Sequence, residues 1–266
     1  MAGDIRIKYL GWSAFILEGP DGDLVFDPSF RNLYGARWAE LEDYDRTRVI
    51  CITHGHSDHY DDAAIIVKRT NAQVVSSQEV CEHLRKRRKV DPSRLTAVKP
   101  FERVEIADFA ITAFPWRHRE INFIRLLRAD FLTSARFAIL NLLMVPFHAP
   151  YFGYHVETPG GTKVLNYCEG FSNAMVLDEV QELGRRFETD VLLAGTQLDF
   201  VEFVGSGVAA FNPEIAVLFH PHEAMFDRIG LKSSPREEFE EAIRKESART
   251  AIVRAEPMEY VNLPKS

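Results

Sequence analysis

"CITHGHSDHYDD", residues 51–62, packs three histidines and three aspartates into twelve residues, directly behind the apolar run "RVICIT" at 48–53. That run is β-branched with little polar alternation, the pattern of a strand buried on both faces. Side chains that favour water and metals at the end of such a strand suggest a metal site, a phosphate- or proton-handling site, or a polar loop. In an extended or turning segment, residues two apart point the same way. His54 and His56 can therefore reach one ion, while Asp58 and His59, past the turn, can face a second beside it. Neutral imidazoles with a carboxylate suit zinc and similar borderline metals. Two adjacent ions share a hydroxide that is a strong nucleophile near neutral pH. One histidine would favour the polar loop; this density at a strand end favours metal.

Working outward, "IRIKYL" alternates apolar and polar residues, and "SAFILEG" and "LVFDPS" flank an Asp-Gly turn, a hairpin signal. Past the histidines, "DDAAIIVKR" reads as a helix, "AQVVSS" as a strand, "QEVCEHLRKRRK" as a helix, and "VEIADFAITAFPW" as two strands turning at Asp108. Residues 119–150 break this rhythm: they are apolar, carry four arginines, and are too long for an ordinary connection. The strands "YFGYHVET" and "TKVLNY" follow around "PGG", then a helix from about 173 to 187, the strand "DVLLAG", and the strand "EIAVLFH", which again ends in histidine. A helix near "PREEFEEAIRKES" and a short strand "RTAIVRA" close the chain. Antiparallel strands open each half and strands alternating with helices follow. The pattern predicts two similar β-α halves packed sheet against sheet with helices outside, in a single domain over 1–266.

The 266 residues are 46% hydrophobic and 27% charged, ordinary for a soluble globular protein. A net charge of −7 argues against general nucleic-acid affinity. Cys51, Cys81 and Cys168 form no CxxC pair, which suggests a reducing compartment. "MAGDIRIKYLGWSAF" does not read as a signal peptide, and no stretch reaches the ~18 uncharged apolar residues of a spanning helix. A cytoplasmic location is expected.

Several blocks together resemble the metallo-β-lactamase superfamily: "YLGWSAFILEGPDGDLVFDPS" with Asp27-Pro28, "VICITHGHSDHYDDA" with its HxHxDH, "FPWRH", "PGGTKVLNYCEG" and "IAVLFHPHE". They are most similar to the lactonase and phospholipase D-like branch. The resemblance implies a four-layer αββα sandwich of two mixed sheets. It implies that His54, His56 and His118 hold a first divalent ion and Asp58, His59 and His220 a second, with zinc the first choice and manganese or iron the alternatives. It implies that Asp58 also orients the attacking hydroxide. The bridging position departs from the family: where an aspartate within Gly-Asp-Thr is usual, this chain has Cys168-Glu169-Gly170. Glu169 falls on the aspartate by count from the Gly-Gly turn, and Cys168 is its rival because a thiolate is a good zinc ligand.

Other polar residues have plainer readings. His222, two past His220, could compete for the metal or donate to substrate. Arg117 and Arg119, flanking His118, are placed to meet an anionic substrate or to pair with surface acids. His83 and the basic run Arg85–Lys89 read as the solvated face of a helix, and His148 and His155 as structural. The segment about 119–150 sets arginines among large apolar residues as an amphipathic helix pair would, with residues 121–147 mostly helical. It reads as a lid with an apolar wall, a peripheral membrane contact, or a homo-oligomer contact.

The sequence thus predicts a metal-dependent hydrolase in which a metal-bound hydroxide cleaves an ester, lactone or phosphodiester. The expected substrate is a small molecule with an apolar, lipid-like portion. The competing reading is a non-catalytic metal- or ligand-binding sensor on the same fold.

Overall fold

The structure, a computed structural model, describes residues 5–30, 39–119, 131–132, 134–135, 139, 146, 148–228 and 230–263, with backbone alone at 224 and 228. Six strands form a first sheet in sequential order: β1 (Arg6–Gly11), β2 (Ala14–Glu18), β3 (Asp23–Phe26), β4 (Thr47–Cys51), β5 (Gln73–Ser76) and β6 (Leu95–Ala97). Seven form a second: β7 (Arg103–Ile106), β8 (Phe109–Pro115), β9 (Phe152–Glu157), β10 (Lys163–Asn166), β11 (Val191–Gly195), β12 (Ile215–Phe219) and β13 (Ala251–Arg254). Each sheet opens with antiparallel pairs and continues with parallel ones; the change comes at β3–β4 in the first and at β10–β11 in the second. This is the expected pair of mixed sheets.

Parallel neighbours require crossovers, and helices supply most of them. Helices α1 (Ser57–Tyr60) and α2 (Ala63–Thr70) follow β4, and α3 (Gln78–Arg88) follows β5. In the second half come α4 (Leu177–Arg186), α5 (Val201–Phe211), α6 (Glu223–Arg228) and α7 (Arg236–Glu246). Ser77 caps α3, its side chain accepting from the Val80 amide. Helix α5 lies outside the sequence expectation, because the glycines in "VEFVGSGVAAF" weaken the helical signal. Gly207 is needed there: a Cβ would meet the Phe171 ring at 2.3 Å.

Strand β4 shows why the layers stack as they do. Val49 and Cys51 face the central core with Phe15, Leu17, Phe26, Ile111, Tyr154 and Val217 from both sheets. Ile50 and Ile52 face the other way, onto Ile66, Val67, Val80 and Leu84 of the outer helices. On the far side Leu165, Leu192 and Leu218 pack under Val180, Val204, Phe239 and Ile243. The result is helix–sheet–sheet–helix. Each such fully buried side chain contributes ~1.5–3 kcal/mol of transfer free energy. Past β13 the chain crosses back to the first sheet: Tyr9 N donates to Glu259 O, Met258 N to Tyr9 O and Val261 N to Ile7 O. That covers the open edge of β1. Most of the amphipathic-helix expectation for 121–147 lies outside the described residues.

Candidate metal centre

Strand ends from both sheets meet at one rim. Asp27 follows β3, Thr53 and His54 follow β4, and His56, Asp58 and His59 lie at the start of α1. From the second sheet come His118 beyond β8, Glu169 beyond β10 and His222 beyond β12. All are buried or nearly so: His54 is 0% exposed, His59 and Glu169 1%, His222 3%.

The centre is Glu169 Oε1. It lies 3.2 Å from His59 Nε2, 3.6 Å from His118 Nε2, 3.7 Å from His222 Nε2 and 3.8 Å from His54 Nε2. Asp58 Oδ2 is 3.3 Å from His222 Nε2 and 3.7 Å from His59 Nε2. Among the described residues three groups have ligand atoms within 4.8 Å of one another: His54, His56, His118 and Glu169; His54, His59 and Cys168; and Asp58, His59 and His222.

The opposite ring nitrogens are held from behind. Asp27 accepts from the Thr53 amide at 2.7 Å, from the Thr53 hydroxyl at 2.7 Å and from His59 Nδ1 at 2.9 Å. The Thr53 hydroxyl has given its one proton to Asp27, so it accepts from His54 Nδ1 at 3.0 Å and from Cys168 Sγ at 3.1 Å. His118 Nδ1 donates to the Arg119 carbonyl at 2.8 Å. Three imidazoles are thus turned so that Nε2 faces the centre, the arrangement metal-binding histidines need.

Electrostatics agree with this. Burial alone would raise the Glu169 pKa, but Arg119, His222 and His118 hold it well below the usual carboxylate range. Burial opposes ionisation of Asp58 too, and His59 and His222 outweigh it. Burial and the neighbouring His118 push His56 down to about 3, leaving it neutral. His59 is the exception: burial lowers its pKa, but Asp27 and Asp58 raise it well above the ordinary value. A cation at Nε2 would take the place of that proton. Among the described residues, the buried Asp58 Oδ1 and His222 Nδ1 have no hydrogen-bond partner. An unmet buried polar atom costs about 1–3 kcal/mol. The donor set, imidazole Nε2 with carboxylates and one unmet carboxylate oxygen, fits a divalent cation of the zinc class.

The expected residues are not all brought together. His54, His56, Asp58, His59, His118 and Glu169 converge. His220 does not: its Nδ1 donates to the Thr196 carbonyl at 2.9 Å and its ring packs on Phe239. His222, expected to compete with His220 for the metal or to donate to substrate, stands beside Asp58 in one of the candidate ligand groups. Cys168 Sγ lies behind His54, 3.7 Å from its Nδ1, and burial pushes the thiol pKa well up. Arg117 is on the surface, its guanidinium on Glu179 at 2.6 and 2.8 Å, whereas Arg119 turns inward to Glu169 Oε2. His83 is hydrogen-bonded to Tyr60 Oη on α1, and His155 to the Glu188 carbonyl under Phe187. The sequence reading missed Tyr151, whose ring lies 5.1, 5.3 and 5.8 Å from those of His54, His118 and His56. It also missed Trp12, edge-on to His222 at 5.4 Å. A lone aromatic outside any motif carries no signal of such a place.

Comparison with known proteins bears on the fold that carries this site. A family model described as the beta-lactamase superfamily domain matches residues 23–138. Igni18, a metallo hydrolase of the archaeon Ignicoccus hospitalis, superposes with a TM-score of 0.71 at 19% identity over 98% of this chain and 99% of that one. The chain has the metallo-β-lactamase fold, and residues 23–138 match that superfamily's domain. A metal-dependent hydrolase of Rubrobacter xylanophilus is 33% identical over 84 residues, 32% of this chain. The chain spans 35% of that relative's length, and about a third of the length of the next relatives it matches. CmlA, a diiron beta-hydroxylase from Streptomyces venezuelae, also superposes on this chain, with a TM-score of 0.64 at 10% identity over 99% of this chain and 55% of that one. The fold alone therefore fixes neither the metal nor the reaction.

Proposed function

We propose that this chain is a metal-dependent hydrolase of small esters, lactones or phosphodiesters, nearest in kind to the lactonase and phospholipase D-like branch. The observation that carries the reading is the convergence of four imidazole Nε2 atoms on Glu169 Oε1, within 3.2–3.8 Å. His54, His56, His118 and Glu169 would hold one divalent ion, and Asp58, His59 and His222 a second, with zinc first and manganese or iron as alternatives. Bound there, divalent metal supplies a Lewis acid for the substrate oxygen and lowers the pKa of water. Asp58 keeps Oδ1 for that water: it is ionised, buried, and without a hydrogen-bond partner among the described residues. Asp27 and Thr53 fix the rings of His59 and His54. Tyr151, Trp116 and Trp12 wall the site with aromatic surface.

The apolar part of the substrate is read from the insertion. Its end is seated on the metal loop: a Cβ on Gly55, between His54 and His56, would meet the Pro146 carbonyl at 2.4 Å. Phe131, Leu132 and Ile139 within it are 65%, 79% and 57% exposed. This supports a lid that offers apolar surface to an acyl chain or to a lipid headgroup region, with a contact between copies as the alternative. No helix among the described residues is long and apolar enough to cross a membrane. The test is hydrolysis of esters and lactones of increasing chain length by metal-reconstituted protein, and by a variant with residues 125–145 replaced by a Gly-Ser linker. At ~0.8 kcal/mol per buried methylene, kcat/KM should climb about fourfold per added carbon in the intact protein and be flat in the variant. Absence of transition metal after reconstitution, shown by elemental analysis, overturns the hydrolase reading. Indifference to chain length overturns the lid alone.

A further inference from the structure

Glu169 differs from the bridging aspartate of the resemblance by one methylene, about 1.5 Å of extra reach. Its backbone is pinned: a Cβ on Gly195 would meet the Glu169 carbonyl oxygen at 2.1 Å, and that oxygen accepts from Gln197 Nε2 at 3.2 Å. The extra length must therefore be absorbed by the side chain. The two carboxylate oxygens have separate neighbours. Oε1 faces the four imidazole Nε2 atoms. Oε2 is taken by Arg119 Nη1. Arg119 is 7% exposed, and its guanidinium carbon lies 5.5 Å over the Phe226 ring. So enclosed, it is poorly placed to anchor an incoming anion. A planar, permanently charged guanidinium can hold one oxygen in a fixed direction, which a lysine cannot do as well.

Resting on the metal-site reading above, we infer that Arg119 is a positioning residue that reserves Glu169 Oε2, so that Glu169 offers the metals a single oxygen, and that glutamate and arginine together do the work of a shorter aspartate. No bond is made or broken in this role. Without Arg119, Oε2 is released to chelate, and the coordination number of the metal rises.

Cobalt(II) reports that number, because its visible d–d bands weaken as coordination expands from four towards six. Full-length protein is stripped with chelator, reloaded with Co²⁺, and its stoichiometry and absorption are measured for wild type, R119M, R119K, E169D and E169D/R119M. The expected result is unchanged cobalt stoichiometry and a loss of about half or more of the d–d intensity in R119M, with R119K between. The shorter carboxylate of E169D cannot span both partners, so R119M should change nothing further in that background, a coupling that a double-mutant cycle reads directly. Should R119M fail to fold by circular dichroism, R119K in both backgrounds carries the same comparison. A silent R119M, or an equal change in both backgrounds, overturns this role while leaving the hydrolase reading intact. A wild-type protein that takes up no Co²⁺ overturns both.

Discussion

At the scale of single residues, His220 and His222 show what side-chain parity decides. Ile215, Val217 and Phe219 of β12 point into the central core, and Ala216 and Leu218 point to the outer helices. His220 keeps the outer parity and lands on Phe239; after Pro221 the chain turns, and His222 faces Asp58. H222A should therefore lose close to one metal ion per chain relative to wild type, while H220A keeps its full content. H220A should cost only about 1–2 kcal/mol of stability, from a lost hydrogen bond and ring packing. Elemental analysis beside urea unfolding separates the two, and equal metal loss in both would return His220 to the site. The motif HxHxDH was legible because its ligands lie within six residues at one strand end. The last candidate ligand was legible only as far as the strand, since choosing between two nearby histidines needs the strand's exact end and the turn after it. Arg119 was equally ambiguous: sequence shows a cation beside His118, and only the pairing of both β8 and β10 with β9 shows which carboxylate it meets.

At the scale of elements, the site depends on turns pressed closely together. Cys168 sits at φ 51°, a left-handed conformation that favours glycine, and the turn it forms lies flat on Gly195 at the end of β11. No side chain fits at 195. G195A should push Glu169 off the imidazoles, lower metal content, and destabilise the fold by about 1–3 kcal/mol. G160A is the matched control, since a Cβ there comes no nearer than 4.0 Å to Thr158 Oγ1. Denaturation midpoints and metal content of the two variants check this, and a G195A protein that retains wild-type metal would show that the turn has room to move. The strands were readable because runs such as "VICIT" and "DVLLAG" carry their own burial pattern. Helix α5 was not, because Gly207 and Gly205 serve tertiary packing against Phe171 and Ala242 rather than helix propensity.

At the scale of the whole molecule, the candidate ligands are divided between the sheets. His54, His56, Asp58 and His59 belong to the first half, and His118, Glu169 and His222 to the second. Bound metal would therefore tie the two sheets together at the rim, beyond the core packed between them. Unfolding separates the ligands, so metal that binds the native chain stabilises it by mass action, ~2.7 kcal/mol at a free concentration one hundred times Kd. For a chain of this size each kcal/mol moves the melting temperature by about 2–4 °C, so zinc against chelator should give a rise of about 5–10 °C for each ion bound. The rise should grow with the logarithm of free zinc, which distinguishes linkage from a fixed structural effect. In H222A, with the second ligand group broken, it should shrink to roughly half if the two ions contribute equally. E82Q, which removes an exposed partner of Lys86 on α3, should leave the rise unchanged. Calorimetry at several buffered zinc concentrations reads all three proteins. If chelation empties the wild-type protein of metal without lowering its melting temperature, the two sheets are held by their apolar core alone, and the ligands do not act as a cross-link between the halves.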